Sequence, residues 1–249
     1  MKLVIAGGGA RMSYLLGIKK YIDENKLIID EYSGSSSGSI FIVLMACNIG
    51  NEIITKEYLK LIDNNTIYRN NFVDSRLDIV KKYLYKILPY NCHKLCTNKV
   101  HISYSYFEFP FIKNMIVSKF KSKDHLIQTI LSSASFPFFV NKNLFYNNDK
   151  KLTLDGFFSD NTPLLDKNNS KNQIIIKTYF RTIMDLDIFI YKKLSKKMTN
   201  LGYFQMKKFI ENGESMTDYI ISHNKNNSKL YFYILILIIF FMILKKTWS

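Results

Sequence analysis

Cysteine is scarce in this chain, with only Cys47, Cys92 and Cys96 among 249 residues. A small and odd number of cysteines is not a disulfide framework, so we predict free thiols in a reducing compartment. The stretch 92–96, Cys-His-Lys-Leu-Cys, offers three metal ligands but lacks a second ligand pair at zinc-site spacing. An oxygen-rich calcium loop of the EF-hand type is also missing. We therefore predict neither a metal site nor a cofactor.

Acidic residues are few as well, since 20 Asp and Glu stand against 35 Lys and Arg, for a formal net charge of +15. Such an excess attracts polyanions such as nucleic acid or an anionic lipid surface. However, the lysines are spread along the chain and form no basic block, so a general bias in composition explains them equally well. We expect no nucleic-acid partner and leave an anionic membrane open.

The amino terminus lacks a long apolar run, because residues 3–6 are too few for a signal peptide, so we predict a cytosolic start. The run at 230–244 lies between Lys229 and the pair Lys245 and Lys246. As a helix it spans about 22 Å, against roughly 30 Å of hydrocarbon, so a buried core element is the alternative to a membrane anchor. We predict a single-pass anchor at 229–249 behind a polar linker at 222–228. It would hold the preceding domain on the cytosolic side of an intracellular membrane such as the endoplasmic reticulum.

Residues 1–221 have the pattern of one α/β domain. Two strand–loop–helix units come first, and their repetition predicts a parallel sheet. Strands are predicted at 2–6, 27–32, 100–107, 114–120, 152–154 and 173–180, and a polar loop at 141–149. Helices are predicted at 12–24, 40–47, 56–88, 123–133 and 186–221, the last interrupted at Gly202 and Gly213.

The second predicted strand is followed by Gly34-Ser35-Ser36-Ser37-Gly38, which fits the pattern G-x-S-x-G. Small residues around the central serine permit the tight strand-to-helix turn that exposes a nucleophile at a sheet edge. The amide of Ser37 would then lie at a helix amino terminus, where it can donate a hydrogen bond to an oxyanion. A flexible loop is the alternative, but the apolar segments on either side favour the turn.

The first predicted strand ends in Gly7-Gly8-Gly9-Ala10-Arg11. Unhindered backbone amides at this position favour an oxyanion hole. A dinucleotide-binding fingerprint is the alternative, but Met12 occupies its third glycine position, and no Gly-Lys-Ser/Thr follows for a P-loop. The segment Asp155-Gly156 follows the short strand at 152–154, and taken alone it indicates only a turn.

The order of these motifs carries more information than any one of them. The glycine loop, the G-x-S-x-G segment, Ser133-Ala134-Ser135-Phe136-Pro137 and Asp155-Gly156 follow one another along the chain. Over roughly residues 2–165 this order resembles the patatin-like phospholipases, whose pattern is G-G-G-x-R/K-G, G-x-S-x-G, A-S-x-A-x-P and D-G-G/A. The resemblance implies a three-layer α/β/α domain with a mostly parallel central sheet. It also implies a serine–aspartate dyad without a catalytic histidine.

Carried over residue by residue, the resemblance makes Ser36 the nucleophile and Asp155 the base of a lipid acyl hydrolase. The activity would be of the phospholipase A or lysophospholipase type, with a lipid ester as substrate and an acyl-enzyme as intermediate. The oxyanion hole would be formed by Gly7, Gly8, Gly9, Ala10, Arg11 and Ser37. The sharp turn around the nucleophile would be made by Gly34 and Gly38.

Two departures from the family pattern keep alternatives open. Met12 stands where the family has glycine, and Phe157 stands where it has glycine or alanine, which leaves room for a catalytically impaired, membrane-tethered scaffold. A second alternative is an α/β-hydrolase with the triad Ser36, Asp155 and His223. Only one strand precedes the serine, which disfavours that fold. The other histidines, His93, His101 and His125, lie in no recognisable motif.

Overall fold

The structure, a computed structural model, describes residues 1–8, 12–63, 76–138, 140–167, 173–177 and 195–213. These residues form a mixed α/β fold in which helices flank a seven-stranded sheet. The strands are β1 (Lys2–Ile5), β2 (Glu31–Ser35), β3 (Val100–Glu108), β4 (Phe111–Val117), β5 (Tyr146–Asn148), β6 (Lys151–Leu154) and β7 (Gln173–Ile176). The helices are α1 (Met12–Glu24), α2 (Ser37–Ala46), α3 (Asn51–Asp63), α4 (Arg76–Ile87), α5 (Cys92–Cys96), α6 (Lys123–Ser133) and α7 (Ser195–Asn212).

The sheet has a parallel half and an antiparallel half. Strands β7, β1, β2 and β3 are parallel to one another. Strands β4 and β6 both pair with β3 in the antiparallel sense, and β5 pairs with β6 in the same sense. The prediction of a mostly parallel sheet is therefore wrong for the second half, because short turns join β3 to β4 and β5 to β6, and a parallel pair needs a long crossover. The three-layer arrangement stays a prediction.

Strand β3 continues past the end of β2, and this difference in length shapes the site. The pairing of β2 with β3 ends at Ser35 and Ser103. Further along, the same edge of β3 pairs with β6, where Ser105 lies opposite Leu154. Strand β6 thus occupies the position in line with β2, beyond its carboxyl end. The residue that follows β6, Asp155, consequently lies just past the last residue of β2.

Several predicted bounds are confirmed and others need correction. Helices α1 and α6 have the predicted ends. Strand β2 begins at Glu31, not at residue 27, because the backbone N–H of Leu27 donates to Ile22 O and closes α1. Strand β4 begins at Phe111, three residues earlier than predicted, and β5 lies inside the predicted polar loop. The turn between β5 and β6 contains Asp149 and Lys150, both with positive φ, as a tight hairpin requires.

Helices α2 and α6 pack against β2 and β3 around a continuous hydrophobic core. Helix α2 is buried from Gly38 to Met45, as expected of a helix that is apolar on all sides. Helix α7 crosses α1 at close range, with a glycine of each helix at the crossing. A Cβ on Gly17 would lie 1.9 Å from Thr199 O, and a Cβ on Gly202 would lie 2.0 Å from Tyr14 O. The interruption predicted at Gly202 is therefore wrong, since this glycine lies inside α7 and permits the crossing.

The predicted linker at 222–228 and the predicted anchor at 229–249 lie outside the described residues. Within the described ranges, no helix is long and apolar enough to cross a membrane.

Candidate active site

Ser36 lies in the sharp turn between β2 and α2. Its backbone has φ 53° and ψ −129°, a conformation that a residue with a side chain rarely adopts. Such a residue costs on the order of 1–3 kcal/mol and persists only where its surroundings hold it. The surroundings here are hydrogen bonds: the Ser36 N–H donates to Ser133 Oγ at 2.9 Å, and Ser36 O accepts from Ser39 N at 3.0 Å. The predicted turn around Ser36 is thus present in strained form.

The two glycines of this turn are required by close backbone packing. A Cβ on Gly38 would lie 2.3 Å from Ile5 O in β1, and a Cβ on Gly34 would lie 2.9 Å from the carbonyl carbon of Gly38. Contacts below 3.0 Å are essentially never made by real Cβ atoms. The amino-terminal turn of α2 therefore lies directly against the ends of β1 and β2. Both Gly34 and Gly38 are in the predicted turn, and no larger residue fits at either position.

Asp155 contacts Ser36 directly. The Ser36 hydroxyl donates to Asp155 Oδ2 at 2.8 Å, and the other carboxylate oxygen, Oδ1, accepts from the Phe157 N–H at 2.9 Å. The Asp155 side chain is fully buried. Burial raises the pKa of Asp155 to about 7, and the hydrogen bonds from Phe157 and Ser36 oppose that rise. A carboxyl group with such a pKa can exchange a proton with Ser36 near neutral pH.

Three further serines hold the backbone of these two residues in place, and none of the three was predicted to have a role. Ser133 Oγ accepts from Ser36 N and donates to Ser103 O at 2.6 Å, so it ties the turn to β3. Ser105 Oγ donates to Asp155 O at 2.8 Å. The one available signal was the position of Ser133 inside the third family motif. Ser103 and Ser105 lie in an ordinary strand and carry no such signal.

The glycine loop is described as far as Gly8. Gly7 N–H donates to Asn161 Oδ1 at 3.0 Å, and Asn161 Nδ2 donates to Gly7 O at 3.2 Å, so this side chain clamps the start of the loop. The Gly8 N–H donates to Ser37 Oγ at 3.1 Å. Ser37 is the first residue of α2, where backbone N–H groups have no partner within the helix. Gly9, Ala10 and Arg11 lie outside the described residues.

The structure accounts for both departures from the family pattern. Met12 is the buried first residue of α1 and is not among the described residues with positive φ, so its position needs no glycine. Phe157 holds Asp155 through its backbone N–H, which any residue except proline supplies. Its ring lies 5.8 Å from that of Phe136 and 5.6 Å from that of Phe158. Neither departure disturbs the contact between Ser36 and Asp155.

Two of the described histidines, His101 and His125, have contacts elsewhere. His101 Nε2 lies 3.4 Å from Glu31 Oε2 at the amino-terminal end of β2, opposite the end that carries Ser36. His125 Nδ1 accepts from Lys121 N at 3.1 Å near the start of α6. The third member of the alternative triad, His223, lies outside the described residues. A triad of this type places a histidine between serine and carboxylate. Here the Ser36 hydroxyl already donates to Asp155.

All three cysteines are free and buried. Cys47 Sγ lies 3.7 Å from Cys96 Sγ, and Cys47 follows the carboxyl end of α2, whereas Ser36 precedes its amino end. In the part of the chain that the structure describes, no group of three or more His, Cys, Asp or Glu side chains is arranged to hold a metal ion.

Comparison with known proteins relates this geometry to a family. The model of the family described as patatin-like phospholipase matches residues 3–166. The omega-hydroxyceramide transacylase of Homo sapiens is 26% identical over 113 residues, which are 43% of this chain and 20% of that protein. The Mus musculus protein of the same name is also 26% identical over 113 residues, or 18% of its length. The matched region thus spans about a fifth of either relative.

Two solved structures match most of this chain. The heterodimeric ExoU-SpcU complex of the type III secretion system of Pseudomonas aeruginosa gives a TM-score of 0.51 at 13% identity, covering 85% of this chain and 51% of that one. VipD from Legionella pneumophila gives a TM-score of 0.45 at 15% identity, covering 84% of this chain and 55% of that one.

Proposed function

Because this chain belongs to the patatin-like phospholipase family, we propose that it is a lipid acyl hydrolase of the phospholipase A or lysophospholipase type, with Ser36 as nucleophile and Asp155 as general base. The observation that carries the proposal is the 2.8 Å hydrogen bond from Ser36 Oγ to Asp155 Oδ2. The strained backbone of Ser36 adds support, since strain of this kind clusters at functional sites.

In the first half of the reaction, Ser36 Oγ attacks the ester carbonyl of a lipid while its proton passes to Asp155 Oδ2. The new carbon–oxygen bond produces a tetrahedral oxyanion. The Ser37 N–H at the start of α2 is suited to stabilise that charge, and such a donor contributes about 3 kcal/mol in the transition state. The amides of Gly7 and Gly8 already donate to Asn161 Oδ1 and Ser37 Oγ, so the further donors of the glycine loop would be those of Gly9, Ala10 and Arg11. Asp155 then gives its proton to the departing alkoxide as the ester bond breaks, which leaves an acyl group on Ser36.

In the second half, an acceptor hydroxyl attacks the acyl-enzyme and Asp155 takes its proton. The proton returns to Ser36 Oγ when the acyl–serine bond breaks, so the enzyme is regenerated. Water as acceptor gives hydrolysis and a free fatty acid. An alcohol as acceptor gives acyl transfer, and the similarity to a transacylase makes this the second candidate function. Both reactions use the same acyl-enzyme and need no metal or cofactor.

The active enzyme is favoured over the impaired scaffold because the two departures leave the reacting groups intact. Asp155 keeps its backbone donor from Phe157, and Met12 sits in a position that is helical. We further propose that residues 229–249 anchor the domain at an intracellular membrane, with Ser36 on the cytosolic side. The apolar run at 230–244 and its flanking lysines support this proposal.

A fluorophosphonate probe tests the function without knowledge of the lipid, because the probe reacts only with an activated serine. We expect the wild-type protein to be labelled and the Ser36→Ala variant to be unlabelled. Hydrolysis of a lipid ester should fall by roughly 10⁴-fold or more in Ser36→Ala and nearly as far in Asp155→Asn.

The matched control is Asp78→Asn, which removes a carboxylate from the exposed side of α4 and should leave the rate unchanged. Wild-type hydrolysis in either active-site variant would refute the dyad. An unlabelled wild-type protein that is correctly folded would favour the scaffold instead.

A further inference from the structure

The hairpin of β3 and β4 projects beyond the carboxyl end of β2, where Ser36 lies. Strand β2 ends at Ser35, which lies beside Ser103 of β3. Strand β3 continues from there to Glu108. At about 3.3 Å per residue, the tip at Phe109 lies about 20 Å beyond the end of β2. The hairpin therefore extends beyond the carboxyl ends of the parallel strands, the side on which ligands bind in open α/β sheets.

The tip of this hairpin is apolar and exposed. The exposed fractions are 85% for Phe109, 65% for Phe111 and 43% for Ile112. Large apolar side chains exposed singly are ordinary, whereas several together on a projecting turn indicate a contact surface. Within the described part of the chain, β4 pairs only with β3, so its outer edge is open there.

A second turn lies beside the first. Tyr106 of β3 pairs with Thr153 of β6 in the antiparallel sense. Phe109 follows Tyr106 by three residues and Lys150 precedes Thr153 by three, so the two turns lie at the same level. The rings of Phe107 and Phe145 lie 5.5 Å apart and join the two hairpins. The second turn contains Lys150, and the next residue, Lys151, begins β6 with its ammonium group 4.9 Å from the centre of the Tyr106 ring. We call the exposed tip residues Phe109, Phe111, Ile112, Lys150 and Lys151 the docking edge.

The charge of this region is slightly positive. Glu108 forms an ion pair with Lys113, and Asp149 adjoins Lys150. Three lysines (113, 150 and 151) against two acidic residues (108 and 149) leave a local charge of +1, in a chain whose net charge is +15. Lysines that flank apolar side chains keep their ammonium groups at lipid head groups while the apolar groups enter the acyl region.

We propose that the docking edge inserts into the surface of a lipid bilayer and orients the carboxyl ends of the strands toward it. The proposal rests on the proposed function, since a lipid ester must leave the bilayer to reach Ser36. Side chains alternate along a strand, so Phe107 and its partner Ile112 lie on the same face as Ser105, which holds Asp155. On this face, Phe107 and Ile112 lie between the tip of the hairpin and Ser105.

The test is a depth measurement at the tip. Trp248 is the single tryptophan of the chain, so Phe109→Trp combined with Trp248→Phe places one reporter on the docking edge. A matched control carries Ile28→Trp instead. Ile28 is 75% exposed and lies just before the amino-terminal end of β2, the end away from Ser36. Both proteins are full length and also carry Ser36→Ala, so that vesicles stay intact and binding is scored independently of hydrolysis.

The vesicles contain phosphatidylcholine brominated on its acyl chains, with or without phosphatidylserine. Since side chains at such interfaces enter about 5–10 Å, we expect at least about twofold quenching of the Phe109→Trp reporter, stronger with phosphatidylserine, and little quenching of the Ile28→Trp reporter. This pattern does not depend on whether residues 229–249 also tether the protein. A variant with Phe111→Trp in place of Phe109→Trp should respond in the same way.

The proposal would be overturned if the two reporters were quenched equally, or if the Phe109→Trp reporter were not quenched at all. A blue shift of the Phe109→Trp emission that grows with protein concentration without vesicles would also overturn it, by assigning the edge to a contact between proteins. If the tip reporter is quenched but wild-type Ser36 resists the fluorophosphonate, the docking edge stands and the hydrolase proposal fails.

Discussion

The rate of Ser36 acylation should depend on pH in a way that the burial of Asp155 dictates. The base must be ionised to accept the serine proton, and burial raises its pKa to about 7 from an ordinary value of 3.8. With a pKa of about 7, roughly one molecule in a hundred carries ionised Asp155 at pH 5. With the ordinary pKa, more than about nine in ten would carry it at that pH.

We therefore expect the second-order rate constant for fluorophosphonate labelling to fall about tenfold per pH unit below pH 7 and to level off above it. The drop from pH 8 to pH 5 should approach a hundredfold. A soluble probe is the right reagent, because an anionic vesicle surface would change the local pH. A plateau that continues down to pH 5 would refute the assignment of a desolvated Asp155 as the base.

The same pKa shift has an opposite consequence for stability. An acid whose pKa is higher in the folded protein contributes stability at low pH, and this contribution is lost as the pH rises from the unfolded to the folded value. The free energy of unfolding of the wild type, relative to Asp155→Asn, should fall by about 2.5 kcal/mol between pH 5 and pH 8. Urea denaturation of both proteins at the two pH values measures it, and an unchanged difference would contradict the shift.

Two other predictions separate the remaining alternatives. Replacing His101, His125 and His223 together should leave most of the activity, because Asp155 contacts Ser36 without an intervening imidazole. If the folded triple variant lost about a hundredfold or more in ester hydrolysis, the scale of a lost general base, the triad would be favoured. Deleting residues 229–249 should move the protein from the membrane to the supernatant in a sedimentation assay while Ser36 stays reactive. A truncated protein that fails to fold would instead assign this segment to the core.

Two of the helices were predicted with the ends that the structure has. Helices α1 and α6 follow apolar residues at helical spacing, and Ser122 caps α6 by accepting from His125 N, so local interactions define their ends. Strand β2 was predicted too early because its real sequence, Glu-Tyr-Ser-Gly-Ser, is not hydrophobic. Its small residues are buried because the neighbours come very close: a Cβ on Gly156 would lie 2.4 Å from Ser35 Oγ. Only tertiary packing reveals that requirement.

The sequence by itself determined the parts of the site whose geometry is local. The turn at Ser36 follows from small residues between a strand and a helix, and the order of the motifs identified Asp155 as its partner. The contact between them depended on tertiary structure, because 119 positions separate the two residues. The contact forms because β3 is longer than β2, and β6 pairs with β3 beyond the end of β2. The supports at Ser105 and Ser133 and the raised pKa of Asp155 likewise arise from burial and long-range pairing, which no local sequence pattern encodes.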